Sequence, residues 1–388
     1  MTNRPVERLS TNFFAILNAR IAAMQATGAD IIRLDIGSPD LPPAPPIVAA
    51  LTDSAARAES HGYQSHRGPQ ALREAWAGMY GRLYRLDLDP DTQVLPLMGS
   101  KEGVFHISQA LLNPGDLVLV PDPGYQTYTQ GARIAGAEAV PLTLLPENDY
   151  LPDLDAIPAE IAQRARILWL NYPNNPTAAV ASLEFFSQAV DFCRRYGILL
   201  CHDAAYAQVT FDGYRAPSVL EIPDAANVAV EFNTLSKSHN MAGWRVGAAL
   251  GNPAALADLL KLKTHADSGQ FLPVIQAAVA AMTGDQGWLA TRNAVYQQRR
   301  DRVMAGLQHL GLTARSPQAS LYIWLALPPG WTSADDFVLD LLEKARVSLA
   351  PGTIFGPRGE GFLRISLTAP LARMDDAMQR MSAVIRKW

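Results

Sequence analysis

A rhythm in the middle of the chain constrains its fold most. Short, almost wholly apolar runs alternate there with amphipathic helical patterns. The runs are Leu117–Val120, Ala139–Leu144, Ile167–Leu170, Ile198–His202, Val228–Phe232 and Val246–Leu250. A strand that is apolar along its whole length has both faces buried, which happens when helices cover both sides of a mostly parallel sheet. Helical periodicity falls at Ser100–Leu112, Leu183–Tyr196 and Ala254–Lys263. The last is opened by Asn252-Pro253, a capping residue followed by proline at the first helical position. The fold class is therefore α/β.

Beyond about residue 285 the rhythm changes. A long helical pattern from Trp288 to Leu310 is followed by a strand (Leu321–Leu325), a helix after Ser333 (Ala334–Ala345), a strand (Phe362–Ser366) and a final helix (Leu371–Lys387). This predicts a second, smaller α+β domain. The division expected is a large domain over 46–285, and a small one built from 1–45 and 286–388. The proline-rich stretch Pro39–Pro46 reads as an extended crossing between them.

With 388 residues, the chain can bury a sizeable core. A formal net charge of -4 gives no support to nucleic-acid binding or to attraction by anionic membranes. The cluster Arg299, Arg300 and Arg302, with Asp301 among them, reads as a solvated helix face. No apolar stretch approaches the roughly 20 residues that span a bilayer, and the N-terminus has no secretory pattern. Cys193 and Cys201 form no CxxC pair, so zinc and disulfides are poorly supported and a cytoplasmic location is expected. No GxSxG, GxGxxG, P-loop or HExxH motif is present.

Ligands of an open parallel sheet gather at the carboxyl ends of its strands. Three chemically unusual segments follow such ends: NYPNNPT (171–177), HDAAY (202–206) and NTLSKSHNMAGWR (233–245). A lone lysine is usually a surface-loop residue. Lys237, however, sits between two serines in a stretch of little helical periodicity, with Arg245 as a nearby cation. A lysine nucleophile must be partly neutral to form an imine, and burial or a neighbouring cation depresses its pKa. Asp203 follows a buried strand, where a carboxylate is costly unless paired. Its partner is either the next helix, which it would cap, or a protonated pyridine nitrogen. Tyr206, three residues on, shares its side if the segment turns helically. Asn175 is brought to a strand end by two X-Pro bonds, although Asn-Pro alone signals only a turn. In MGSKEG (98–103), Gly99 permits a tight turn and Ser100 is a good N-cap, and a helix start of this kind favours a phosphate. His61 and His66, flanking Tyr63, have no metal partners nearby and read as loop residues.

Taken together and in this order, these segments and a late LRIS (363–366) resemble the class I/II aminotransferases, pyridoxal-phosphate enzymes of fold type I. The resemblance runs from about Ile32 to the C-terminus. It implies that Lys237 holds pyridoxal 5'-phosphate as an imine and moves the substrate proton, and that Asp203 pairs with the pyridine nitrogen. It implies that Asn175 and Tyr206 bond the phenolate oxygen, and that Tyr125 in PGYQTY stacks on the ring. Gly99 shapes the phosphate turn, and Ser100, Lys101 through its backbone N–H, Ser236 and Arg245 hold the phosphate. Tyr63 would reach the phosphate of a neighbouring subunit, which implies a homodimer. Arg364 would grip the substrate α-carboxylate as a fork, helped by Gly37 and Asn175. The reaction implied is ping-pong transfer between amino acids and 2-oxo acids. The alternative on the same scaffold is a C–S β-lyase or an aminocyclopropane carboxylate synthase-like enzyme.

The chain looks like the branch of aspartate, alanine and LL-diaminopimelate aminotransferases. Diaminopimelate enzymes usually carry YGPEQG where this chain has YQSHRG (63–68), so His66 stands at their glutamate. That favours aspartate or glutamate, with alanine also possible, and makes His66 and Arg67 of a second subunit candidates for a distal carboxylate. The family's NPTG is here NPTA, and Ala178 fits poorly if the position needs positive φ.

Overall fold

The computed structural model describes residues 5–9 and 13–385. Seven strands form the central sheet: β1 (Val94–Leu97), β2 (Leu117–Asp122), β3 (Glu138–Thr143), β4 (Ala165–Asn171), β5 (Leu199–Asp203), β6 (Ala229–Thr234) and β7 (Gly247–Gly251). Their order is β1-β7-β6-β5-β4-β2-β3, and only β7 runs against the rest. All six expected strands are present. β1 was not expected, since Pro96 interrupts its pattern; it lies at the sheet edge, where a missing N–H is tolerated.

Both sheet faces are covered. One carries Trp76, Phe186 and Leu200, the other Tyr128, Trp169 and Phe232. Tyr128 stacks on Trp169 with centroids 4.6 Å apart. Each such side chain contributes about 1.5–3 kcal/mol when fully buried. The helices Leu183–Tyr196, Pro253–Ala266 and Ala334–Ala345 begin on Ser182, Asn252 and Ser333, whose side chains accept first-turn amide hydrogens. Caps of this kind are worth about 1 kcal/mol each.

A separate apolar core joins the two ends of the chain. Leu17, Ile21 and Leu34 pack with Tyr296, Leu341, Ile365 and Met378. Ile32–Arg33 pairs in parallel with Val347–Ser348, and β8 (Tyr322–Ala326), β9 (Ala350–Pro351) and β10 (Phe362–Ser366) form a small antiparallel sheet. Ala205, Tyr206, Val209 and Phe211 from the middle of the chain also pack into this core. The last helix is Leu371–Ile385, and the expected end at Lys387 lies outside the described residues.

Two expectations are corrected. Arg299 and Arg300 are not on a solvated face: they are 4% and 5% exposed. Arg299 forks onto Asp40 (2.6 and 2.8 Å) and Arg300 pairs with Asp212 and Asp301. Only Arg302 is exposed, against Asp375. The proline-rich stretch is extended only in part, because Pro45 opens the helix Pro45–Ala55.

Ala178 does adopt φ 57° and is buried. The left-handed region costs an L-residue about 1–2 kcal/mol, and glycine's extra chain entropy returns about 0.5–1 kcal/mol of that. Ala178→Gly is therefore expected to raise unfolding free energy by about 0.5–1 kcal/mol in a denaturant titration.

Candidate active site

The carboxyl ends of β2, β4, β5 and β6 open into one cavity of about 1130 Å³. Gly37, Ser100, Lys101, Tyr125, Asn175, Asp203, Tyr206, Ser236, Lys237, Arg245 and Arg364 all line it. These residues span most of the sequence and meet because the strands are parallel and release their loops on one side. Tyr63, 95% exposed, does not line the cavity of its own chain, nor do His66 and Arg67.

Lys237 lies not in an irregular loop but in a one-turn helix, Leu235–Ser238, begun by the Thr234 side chain accepting from Ser236 N. Its Nζ donates to the Gly37 carbonyl (2.6 Å). Burial pushes the amine below the usual lysine range; Arg364 and Arg245 push the same way, against Tyr322 and Asp203. A neutral amine is a nucleophile and a base.

Asp203 ends β5 and is 6% exposed. It receives the Tyr128 hydroxyl (2.9 Å) and the Ala205 amide (3.2 Å), and it has no salt bridge among the described residues. Burial raises its pKa, while the Tyr128 hydrogen bond opposes this. A buried carboxylate facing a cavity without a cation of its own suits a protonated ring nitrogen. Asn171 holds the neighbouring loop: its amide donates to Asp203 O (2.7 Å) and its oxygen accepts from Asn175 N (2.8 Å). Asn175 Oδ1 in turn accepts from Arg364 (2.7 Å), leaving its amide hydrogens for another acceptor.

Arg364 is 4% exposed. It lies between the rings of Tyr322 (4.0 Å) and Phe355 (4.8 Å) and donates to the Asp35 carbonyl (2.7 Å). No carboxylate neutralises it among the described residues, so its fork suits a carboxylate from outside. Gly37 packs so tightly that a Cβ there would sit 1.9 Å from the Tyr322 hydroxyl.

The helix Ser100–Leu111 points its N-terminus at the cavity. Its N-cap is Gly99, at φ 77°, and not Ser100, which is already the first helical residue. A Cβ on Gly99 would lie 2.3 Å from the Arg245 guanidinium, so only glycine lets that cation approach the helix end. Helix amides, Ser100, Ser236 and Arg245 bring donors and positive charge to this end of the cavity, an arrangement suited to a dianion.

Two tyrosines were not picked out from the sequence. Tyr128 lies one helical turn from Tyr125, a spacing that could have flagged it. Tyr322, whose hydroxyl bonds that of Tyr206 (2.8 Å), is 116 residues away in the chain and only the fold reveals it. His239, buried beside the lysine turn, has its pKa lowered by burial from 6.5 to about 4. The folded state stays neutral where the unfolded chain protonates, so stability is lost as pH falls from 6.5 towards 4. The loss is on the order of 3 kcal/mol. His239→Gln should flatten this part of the stability–pH curve.

A lysine and a buried aspartate lining one cavity, a helix N-terminus with an arginine beside it and the α/β sheet together fit a pyridoxal-phosphate-dependent enzyme of fold type I. The family model described as aminotransferase class I and II matches residues 29–381. The LL-diaminopimelate aminotransferase of Moorella thermoacetica is 45% identical, over 99% of this chain and 98% of that protein. The substrate-bound structure of BacF from Bacillus subtilis superposes with a TM-score of 0.95 at 35% identity, covering 99% and 98% of the two chains. A mutant aspartate aminotransferase of Thermus thermophilus gives 0.93 at 26%, covering 99% of each. The chain belongs to the class I and II aminotransferases. It is an amino acid:2-oxo acid aminotransferase that uses pyridoxal 5'-phosphate, and the lyase alternative is not favoured. No helix among the described residues is long and apolar enough to cross a membrane.

Proposed function

We propose that the amino donor is an α-amino acid with a second carboxylate at its far end, in the simplest case aspartate or glutamate. The buried Arg364 fork, set between two rings and beside Asn175 with no carboxylate of its own, supports an α-amino acid, and the distal carboxylate rests on a second cation in the same cavity. The fork takes the α-carboxylate. The Lys101 ammonium, exposed 5.8 Å from the Tyr125 ring centre, offers a second positive charge on the wall of the same cavity.

Pyridoxal phosphate supplies, when bound, the electron sink for charge developing at the substrate Cα. Lys237 Nζ carries the cofactor in the resting enzyme, takes the Cα proton and later returns it. Asp203 keeps the ring nitrogen protonated, steadied by Tyr128. Asn175 and Tyr206 donate to the phenolate oxygen, and Tyr125 covers the ring face. Ser100, the Lys101 amide, Ser236 and Arg245 hold the phosphate, with Gly99 giving them room. Gly37 and Arg364 orient the substrate. Release of the 2-oxo acid before the second substrate binds makes the kinetics ping-pong. Tyr63, exposed and outside its own cavity, reaches the site of a second copy in a homodimer, and His66 and Arg67 travel with it. Two buried, free cysteines fit a reducing cytoplasm.

LL-diaminopimelate is the second reading, favoured by the names of relatives such as the Moorella protein. It also has a distal carboxylate, but its distal ammonium lacks the carboxylate partner that a glutamate would give at position 66, where this chain has His66. The test is the single-turnover loss of the visible aldehyde band with aspartate, glutamate, LL-diaminopimelate and alanine. Aspartate or glutamate should react fastest. Faster reaction with alanine would remove the distal-carboxylate reading, and reaction with LL-diaminopimelate alone would select the second.

A further inference from the structure

Arg292 is 4% exposed on the long helix Gly287–His309. One terminal nitrogen donates to the carbonyls of both Lys237 and Ser238. The other donates to the Gln208 carbonyl (2.8 Å) and the Asn293 side chain. All four acceptors are neutral, and no carboxylate pairs with Arg292 among the described residues. Burial lowers its pKa to about 10. A buried cation without a counter-ion is costly, and here both terminal nitrogens are bonded while Nε is buried without a partner.

The acceptors explain the arrangement. A one-turn helix is marginal alone, and its last carbonyls lack partners. Arg292 bonds those carbonyls and adds positive charge at the helix end, where it is favourable. The same guanidinium holds Gln208, two residues beyond Tyr206, and Asn293 adds a second bond to that carbonyl (3.1 Å). The lysine turn and the segment following Asp203 are thus fixed to one fork on a third element.

We propose that Arg292 is a positioning residue for the reaction, an external cap that sets the lysine-bearing turn against the Asp203–Tyr206 segment. The inference rests on Lys237 being the cofactor-bearing residue. Borohydride labelling of the wild-type holoenzyme, done first, tests that assignment separately.

Arg292→Met removes the cation and the fork without leaving a buried charge. Arg292→Lys keeps a cation but cannot reach all four oxygens, and carries the same expectation should the first variant not fold. In cofactor-free protein, amides 235–239 should exchange hydrogen at least about tenfold faster. In the holoenzyme, kcat should fall about 100-fold with KM nearly unchanged, as for misplacement of about 1 Å. The Cα-deuterium isotope effect should rise as proton transfer becomes slower. A purely structural Arg292 would lower melting temperature but leave the isotope effect and the exchange of 235–239 within twofold of wild type. That result would overturn the proposal.

Discussion

Lys237→Ala is expected to slow the half-reaction with the best amino donor by about 10⁴-fold, the upper end for one positioned acid–base group. The side chain does two jobs on one nitrogen. In the proposed mechanism it anchors the cofactor and carries the proton that leaves the substrate Cα. The turn that presents it, Leu235–Ser238, keeps its backbone whatever the side chain, because Thr234 and Arg292 hold its two ends. The variant should therefore fold, bind cofactor through the phosphate cradle and fail in proton transfer. Stopped-flow absorbance gives the rate. Peptide mapping after borohydride reduction gives the label: residue 237 in the wild type, none at that position in the variant. A variant within tenfold of wild type would place the base elsewhere.

Asp203→Asn should give the second largest loss. Asparagine keeps the shape and can accept the Tyr128 hydrogen bond, but it cannot hold a ring nitrogen as a cation. Removing one partner of a buried charge pair costs about 3–5 kcal/mol, which corresponds to about 10²- to 10⁴-fold in rate. The control is Tyr128→Phe, which leaves the carboxylate charged but removes one hydrogen bond, and should cost about tenfold. Equal losses in the two variants would show that orientation, and not charge, is what Asp203 contributes.

The large sheet was legible because buried parallel strands are written as unbroken apolar runs. β1 was not, since an edge strand tolerates the Pro96 that breaks its pattern. The arginine cluster at 299–302 was misread for a related reason. Helical periodicity gives the face a residue occupies, whereas the partners that let Arg299 and Arg300 go inside are Asp40 and Asp212, far away in the chain. The residues that meet in the cavity were legible mostly as short motifs after strands. Their supports, Tyr322 and Arg292, lie on elements whose sequence carries no sign of a ligand.

The contact between Lys237 and Gly37 sets a direction. An uncharged amine has two hydrogens and one lone pair, and spending a hydrogen on the Gly37 carbonyl narrows where that electron pair can point. The direction of the Lys237 amine is thus governed by a stretch 200 residues upstream, backed by a tyrosine hydroxyl that leaves no room for even a methyl group. Reactivity at the centre of the sheet depends in this way on how an outlying strap is seated.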